Sequence, residues 1–210
     1  MTDRDTAARV LELHGTGYAE EAGIRLADTP APLFQLLVLA ELLSARISAD
    51  IAVAATRELL AAGETTPAHT LEASWQDRVD ALGRGHYRRY DERTARQLGE
   101  LAGQVQERWH GDLRGLAAEA DGDVDAAAAL LQDFPGIGPT GASVFLREVQ
   151  QVWPWVRPYL DERATRGAER VGLPTEAAAL AGLVDGDELA RFAAALVRVS
   201  LLPAAEDPLA

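Results

Sequence analysis

LLQDFPGIGPTGASVFLREVQQVWPWVRPYLDERATRGAERVGLP, residues Leu130 to Pro174, decides how the rest of this chain is read. At its centre is Phe134-Pro135-Gly136-Ile137-Gly138-Pro139-Thr140. Two glycines one residue apart permit positive φ and close backbone approach, and Pro139 suits the first turn of a helix, where a missing N–H costs nothing. The spacing predicts that helix over Pro139–Gln151, with Ala142, Phe145, Leu146 and Val149 at i, i+3, i+4 and i+7 on one face. A shorter helix over Val124–Gln132 precedes it, placing Ala127, Leu131 and Phe134 on one side. Two helices joined in this way leave the amides of Gly136, Gly138, Thr140 and Gly141 free at a helix N-terminus. Free N–H groups and the positive end of the helix dipole then point at one spot, which attracts an anion. A nucleic-acid phosphate is the natural one.

This stretch resembles the helix-hairpin-helix DNA glycosylases of the endonuclease III superfamily, the HhH-GPD proteins. The hairpin of that family corresponds to Phe134–Gly138. Its aspartate corresponds to Asp161, and DERATRGAERVGLP repeats the family's rhythm of Asp, Arg, Arg and Gly-Leu-Pro. Thr29–Leu60 looks like the family's opening helix pair. The resemblance implies an all-α fold of two helical lobes with a cleft between them. Residues 29–140 would form a central lobe ending in the hairpin, and residues 141–210 a C-terminal lobe carrying Asp161. Residues 1–28 would contribute a helix packed with the C-terminal lobe.

The same resemblance implies a base-excision enzyme that hydrolyses the N-glycosidic bond of a damaged base in double-stranded DNA. Asp161 would be the catalytic carboxylate. Arg46 stands where the family commonly has a glutamine that fills the gap left by an extruded base. Tyr87, Arg88, Tyr90 and Arg93 fall where the family brings a basic or aromatic turn near DNA. The family's hairpin also tends to hold a monovalent cation, Na+ or K+, through main-chain carbonyls, here those of Gln132, Phe134 and Ile137. Two further readings stand beside this one: a non-catalytic helix-hairpin-helix DNA-binding protein, and a helical protein with an unrelated role.

Composition sharpens the chemistry. Cysteine is absent, which excludes disulfides, thiolate nucleophiles and the four-cysteine iron–sulfur loop many endonuclease III-like enzymes carry. A reducing cytoplasm is the expected compartment. All 20 basic residues are arginine. Bifunctional glycosylase/lyases use a lysine just after the hairpin to form a Schiff base with the sugar, and Thr140 occupies that position. Only the N-terminal amine remains for such chemistry, so a monofunctional enzyme is expected. The net charge of -13 opposes DNA binding, which draws on counterion release by basic groups. Arginines nevertheless cluster at positions 84–96 and 157–170, and binding follows the local field. No apolar run reaches the ~18 residues that span a bilayer, and Met1–Arg9 lacks the order of a signal peptide. A monomer without membrane contact is expected.

Elsewhere the pattern predicts a short N-terminal helix over residues 1–14 and a buried helix over Leu33–Leu43. Amphipathic helices follow over Ala49–Leu60 and Thr70–Leu82. One long helix is expected from His86 to Trp109, then a loop over Gly111–Asp125. After Pro174 the chain should return in helices over Thr175–Leu183 and Asp187–Leu201, with a frayed tail from Pro203. Asp161 is suited to two tasks. Aspartate is among the commonest N-caps, and a carboxylate near the anomeric carbon stabilises the cation formed as a base departs.

Overall fold

The computed structural model describes residues 2–210, and among them there is helix but no strand. The α-helices are α1 (Asp3–His14), α2 (Tyr18–Glu21), α3 (Pro30–Ser44), α4 (Ala49–Ala61), α5 (Pro67–Glu72), α6 (Trp75–Arg84) and α7 (Asp91–Trp109). They continue as α8 (Arg114–Ala120), α9 (Val124–Gln132), α10 (Pro139–Val149), α11 (Glu162–Arg170), α12 (Ala177–Ala181) and α13 (Leu189–Leu201), with a 3-10 turn at Pro154–Val156. The chain forms two compact units, Ala19–Phe145 and Met1–Tyr18 joined with Leu146–Ala210. Residues 19–28 thus belong to the central unit, where Ile24 is buried, and the second boundary falls inside α10.

In the central unit α3 is the buried axis. Leu33, Phe34, Leu36, Leu37, Leu39 and Leu42 are all fully enclosed, as its all-round apolar sequence requires. It packs on α4, α4 on α6, α5 and α6 on α7, and α8 on α9.

Three sequence expectations change here. The helix expected over Thr70–Leu82 is two helices, because Ser74 and Asp77 form a capping box that starts α6 afresh. The buried Arg78 then ties the break together by donating to the carbonyls of Thr70, Ala73 and Ala95. The long helix begins at Asp91 rather than His86. His86 has φ +64 and Tyr87 is buried, so the turn that inserts Tyr87 cannot also be helical. Within the expected loop, Arg114–Ala120 forms α8, anchored by the buried Leu116 and Ala120.

In the other unit α11 and α1 both pack on α13. A Cβ on Gly167 would lie 1.9 Å from the carbonyl oxygen of Leu196, so only glycine permits that crossing. The segment after Pro203 is strapped down rather than frayed. Arg170 donates to the carbonyls of Val199, Leu202, Pro203 and Glu206, Arg9 donates to that of Leu209, and a His14 ring nitrogen lies 2.9 Å from that of Pro208.

Candidate nucleic-acid interface and active site

The hairpin forms as its residues dictate. Helix α9 ends at Gln132, the amides of Asp133 and Phe134 turn back to Leu130 and Leu131, and Ile137 donates to the carbonyl of Phe134. Phe134 and Ile137 are buried, Phe134 against the ring of Trp109 at 5.8 Å. The two glycines differ. Gly136 has φ +86, and a Cβ there would meet the carboxyl of Glu41 at 2.7 Å. Gly138 does not lie in the left-handed region and faces open space, so its freedom is not what the turn uses. Gly141 packs against Ile137 and Ser44, and the Ser44 hydroxyl donates to the carbonyl of Glu41, with that of Gly136 within 3.3 Å.

At the start of α10 the first amide to find a helical partner is Ala142, which donates to Gly138. Among the described residues no backbone carbonyl accepts from the amides of Gly136, Gly138, Thr140 and Gly141. Of the carbonyls expected to hold a cation, that of Phe134 accepts from Ile137. Among the described residues those of Gln132 and Ile137 accept from no backbone amide, which leaves oxygen lone pairs available to a monovalent ion.

Next to the hairpin, within the same unit, lies a pocket of about 300 Å³. Glu41, Arg46, Tyr87, Tyr90, Arg93, Thr94 and Gly136 are on its wall. Arg46 and Arg93 are exposed and share it; Arg88 is exposed and lies outside it. Glu41 is 4% exposed, and neither of its carboxyl oxygens has a hydrogen-bond partner. Burial pushes its carboxyl well above the usual carboxylate range; the Glu100 charge adds to this and Arg93 opposes it. Tyr87 is fully enclosed beside it, its phenol within hydrogen-bond reach of Thr94 at 3.3 Å, and burial pushes that phenol up as well.

Sequence reading missed Glu41. The available signal was a single charge inside LLVLAELL, where every neighbour is apolar.

A second buried carboxyl, Glu64, lines a hollow of about 560 Å³ with His69, Glu72, Asp77, Asp80 and Arg84. Burial pushes Glu64 up to about 7, against the pull of Arg78 and with a smaller push from Asp77.

Asp161 belongs to the other compact unit. It is the N-cap of α11: one carboxylate oxygen accepts from the amide of Ala164 at 2.9 Å. The other accepts from Arg147 of α10, an ion pair in which both side chains are enclosed. Glu162 points away and pairs with Arg166 one turn on, in solvent. Trp153 is buried and stacks on the half-buried Trp155 at 5.5 Å.

Two solved structures resemble the chain along most of its length. One is a non-covalent endonuclease III–DNA complex, 15% identical with a TM-score of 0.52. The other is a trapped endonuclease III–DNA covalent intermediate in an estranged-adenine complex, 15% identical with a TM-score of 0.50. Each match covers 94% of this chain and 85% of the other. No protein-family model matches the sequence, and no curated protein does. The chain therefore has an all-α, endonuclease III-like helix-hairpin-helix fold.

Proposed function

We propose that this protein is a monofunctional DNA glycosylase that hydrolyses the N-glycosidic bond of a damaged or mispaired base in duplex DNA. The observation that carries the reading is Glu41, an enclosed carboxyl without a partner, on the wall of a pocket that adjoins the hairpin. Burial favours the protonated form of this carboxyl, and a carboxylic acid so placed is suited to hand a proton to a leaving nitrogen base. The C–N bond then breaks, its electron pair stays on the base, and the Glu41 proton goes with it. Asp161, in the other unit, keeps the role that the resemblance implies, a carboxylate that stabilises a cationic sugar. Water adds to that cation, and its proton restores the Glu41 acid. The free amides of Gly136, Gly138, Thr140 and Gly141 take a backbone phosphate, as helix N-termini do. Arg46 and Arg93 supply positive charge on the pocket wall, Arg88 adds to the basic turn, and Arg46 is the residue assigned to fill the duplex gap. A bound Na+ or K+ at the Gln132, Phe134 and Ile137 carbonyls would add charge at the same hairpin. With no lysine in the chain, the sugar product is an intact abasic site.

The test is single-turnover base release from duplexes carrying alkylated, deaminated or oxidised bases. An active protein that loses its activity with Glu41→Gln supports the reading, and inactivity on every lesion removes it. A second reading, a non-catalytic hairpin module that binds DNA, is favoured by the bonding of Asp161, whose two oxygens are each already engaged. Salt-dependent duplex binding without base release identifies it.

A further inference from the structure

The segment from Gln150 to Asp161 contains only a 3-10 turn, yet it must present Asp161 in a fixed place if that carboxylate is to act on a substrate. We infer that Arg147 and Gln150, three residues apart on one side of α10 and the turn that follows it, are positioning residues that hold the Asp161 carboxylate; this rests on the glycosylase reading.

The Gln150 side chain is completely buried and grips the segment two residues before Asp161 from both sides. Its amide nitrogen donates to the carbonyl of Tyr159 at 2.9 Å, and its amide oxygen accepts from the Tyr159 N–H at 3.0 Å. The same amide nitrogen donates to the carbonyl of Arg147, which fixes the Gln150 rotamer to the helix. Arg157 adds a return strap by donating to the carbonyls of Gln150 and Gln151. Arg147 then reaches Asp161 itself. The cap bond from Ala164 restrains one carboxylate oxygen and leaves rotation about it; the Arg147 guanidinium restrains the other, so the plane of the carboxylate is set.

Stability alone does not explain this arrangement. The Arg147 side chain is 3% exposed and that of Asp161 10%, and an enclosed ion pair is seldom more stable than apolar residues of the same size. The guanidinium also leaves its Nε buried without a partner. A pair kept despite those costs fits a demand for placement. Misplacing a reacting group by ~1 Å costs on the order of a hundred-fold in rate.

The experiment compares Arg147→Met, Arg147→Lys and Gln150→Leu with the wild type on a lesion the wild type cleaves. Single-turnover base release is measured per folded molecule, alongside the Kd for a duplex bearing an uncleavable tetrahydrofuran abasic analogue. Arg147→Met is expected to slow release roughly a hundred-fold, with Arg147→Lys recovering part of the loss and Kd staying within about two-fold. The decisive readout is coupling: in an Asp161→Asn background, Arg147→Met should cost almost nothing more, because the group it positions is no longer charged. Should Arg147→Met prove unfolded, Gln150→Leu carries the test, since it removes both grips on Tyr159 without altering charge. A folded Gln150→Leu or Arg147→Met that cleaves at the wild-type rate overturns the inference, as does an Arg147→Met effect of equal size with and without Asp161. Inactivity of the wild type on every lesion removes the glycosylase reading and this role together, whereas an active wild type with unimpaired variants removes this role alone.

Discussion

A Cβ placed on Gly136 would lie 2.7 Å from Oε1 of Glu41, so the hairpin and the buried acid of α3 fit together only because residue 136 has no side chain. Gly136→Ala has to move the carboxyl and also hold φ near +86, which costs an L-residue about 1–2 kcal/mol by itself. A loss of roughly 2 kcal/mol or more is expected in urea unfolding. Gly138→Ala is the control: its Cβ meets nothing within 4 Å, and a change within ~0.5 kcal/mol is expected. Equal costs at the two positions would contradict the difference the structure draws between them.

Glu41 couples stability to pH. Its folded-state pKa stands well above the ordinary value of 4.5, so between those two values the folded chain keeps a proton that the unfolded chain has released. The stabilising contribution is complete below about 4.5 and is lost as pH rises toward the folded pKa. Glu41→Gln retains the neutral shape without titrating. Its stability should exceed that of the wild type increasingly above pH 5, as followed by urea midpoints across pH, while base release falls by about a hundred-fold or more.

Glu64 carries the same sign. Its pKa of about 7 against an ordinary 4.5 predicts stability lost between those pH values, by up to about 3 kcal/mol. Glu64→Gln should flatten that part of the wild-type profile and leave base release alone, since the hollow it lines shares no residue with the Glu41 pocket. A profile that keeps its slope in Glu64→Gln would show that another group titrates there.

Asp161→Asn separates capping from chemistry less simply than the sequence suggests. Asparagine caps about as well as aspartate, so a plain cap would be silent. Here the substitution also leaves Arg147 enclosed without its counter-charge, and about 3 kcal/mol of stability should go with it. Base release by the molecules that remain folded is expected to fall about a hundred- to a thousand-fold, measured under single turnover. A folded Asp161→Asn protein working at the wild-type rate would end the catalytic assignment.

Borohydride trapping on cleaved duplex should yield no adduct on a side chain, because no lysine exists to form one. Product strands should stay intact until alkali cuts the abasic site. A trapped adduct mapped anywhere but the amino terminus would contradict a monofunctional mechanism.

Local features were legible in the residues because local backbone preference decides them. The bounds of α9, the proline opening of α10 and the cap at Asp161 all follow from groups within a few positions of one another. The absence of lysine and cysteine closed whole classes of chemistry before any fold was in view. Periodicity failed where a distant partner overrode it. Helix α7 starts late because Tyr87 turns inward to pack beside Glu41 and Thr94, and the last residues are held by Arg170, some thirty positions earlier. Glu41 and Arg147 show the boundary best. In sequence each is one charge in a helical run, and a charge in that setting usually faces water. Whether Glu41 faces solvent or is enclosed depends on packing that includes the glycine ninety-five positions away. Whether Arg147 is solvated or anchors Asp161 depends on a turn that returns fourteen residues later. Helical spacing records which side chains share a face; which faces meet, and so which charges lose their water, is set only when the chain packs.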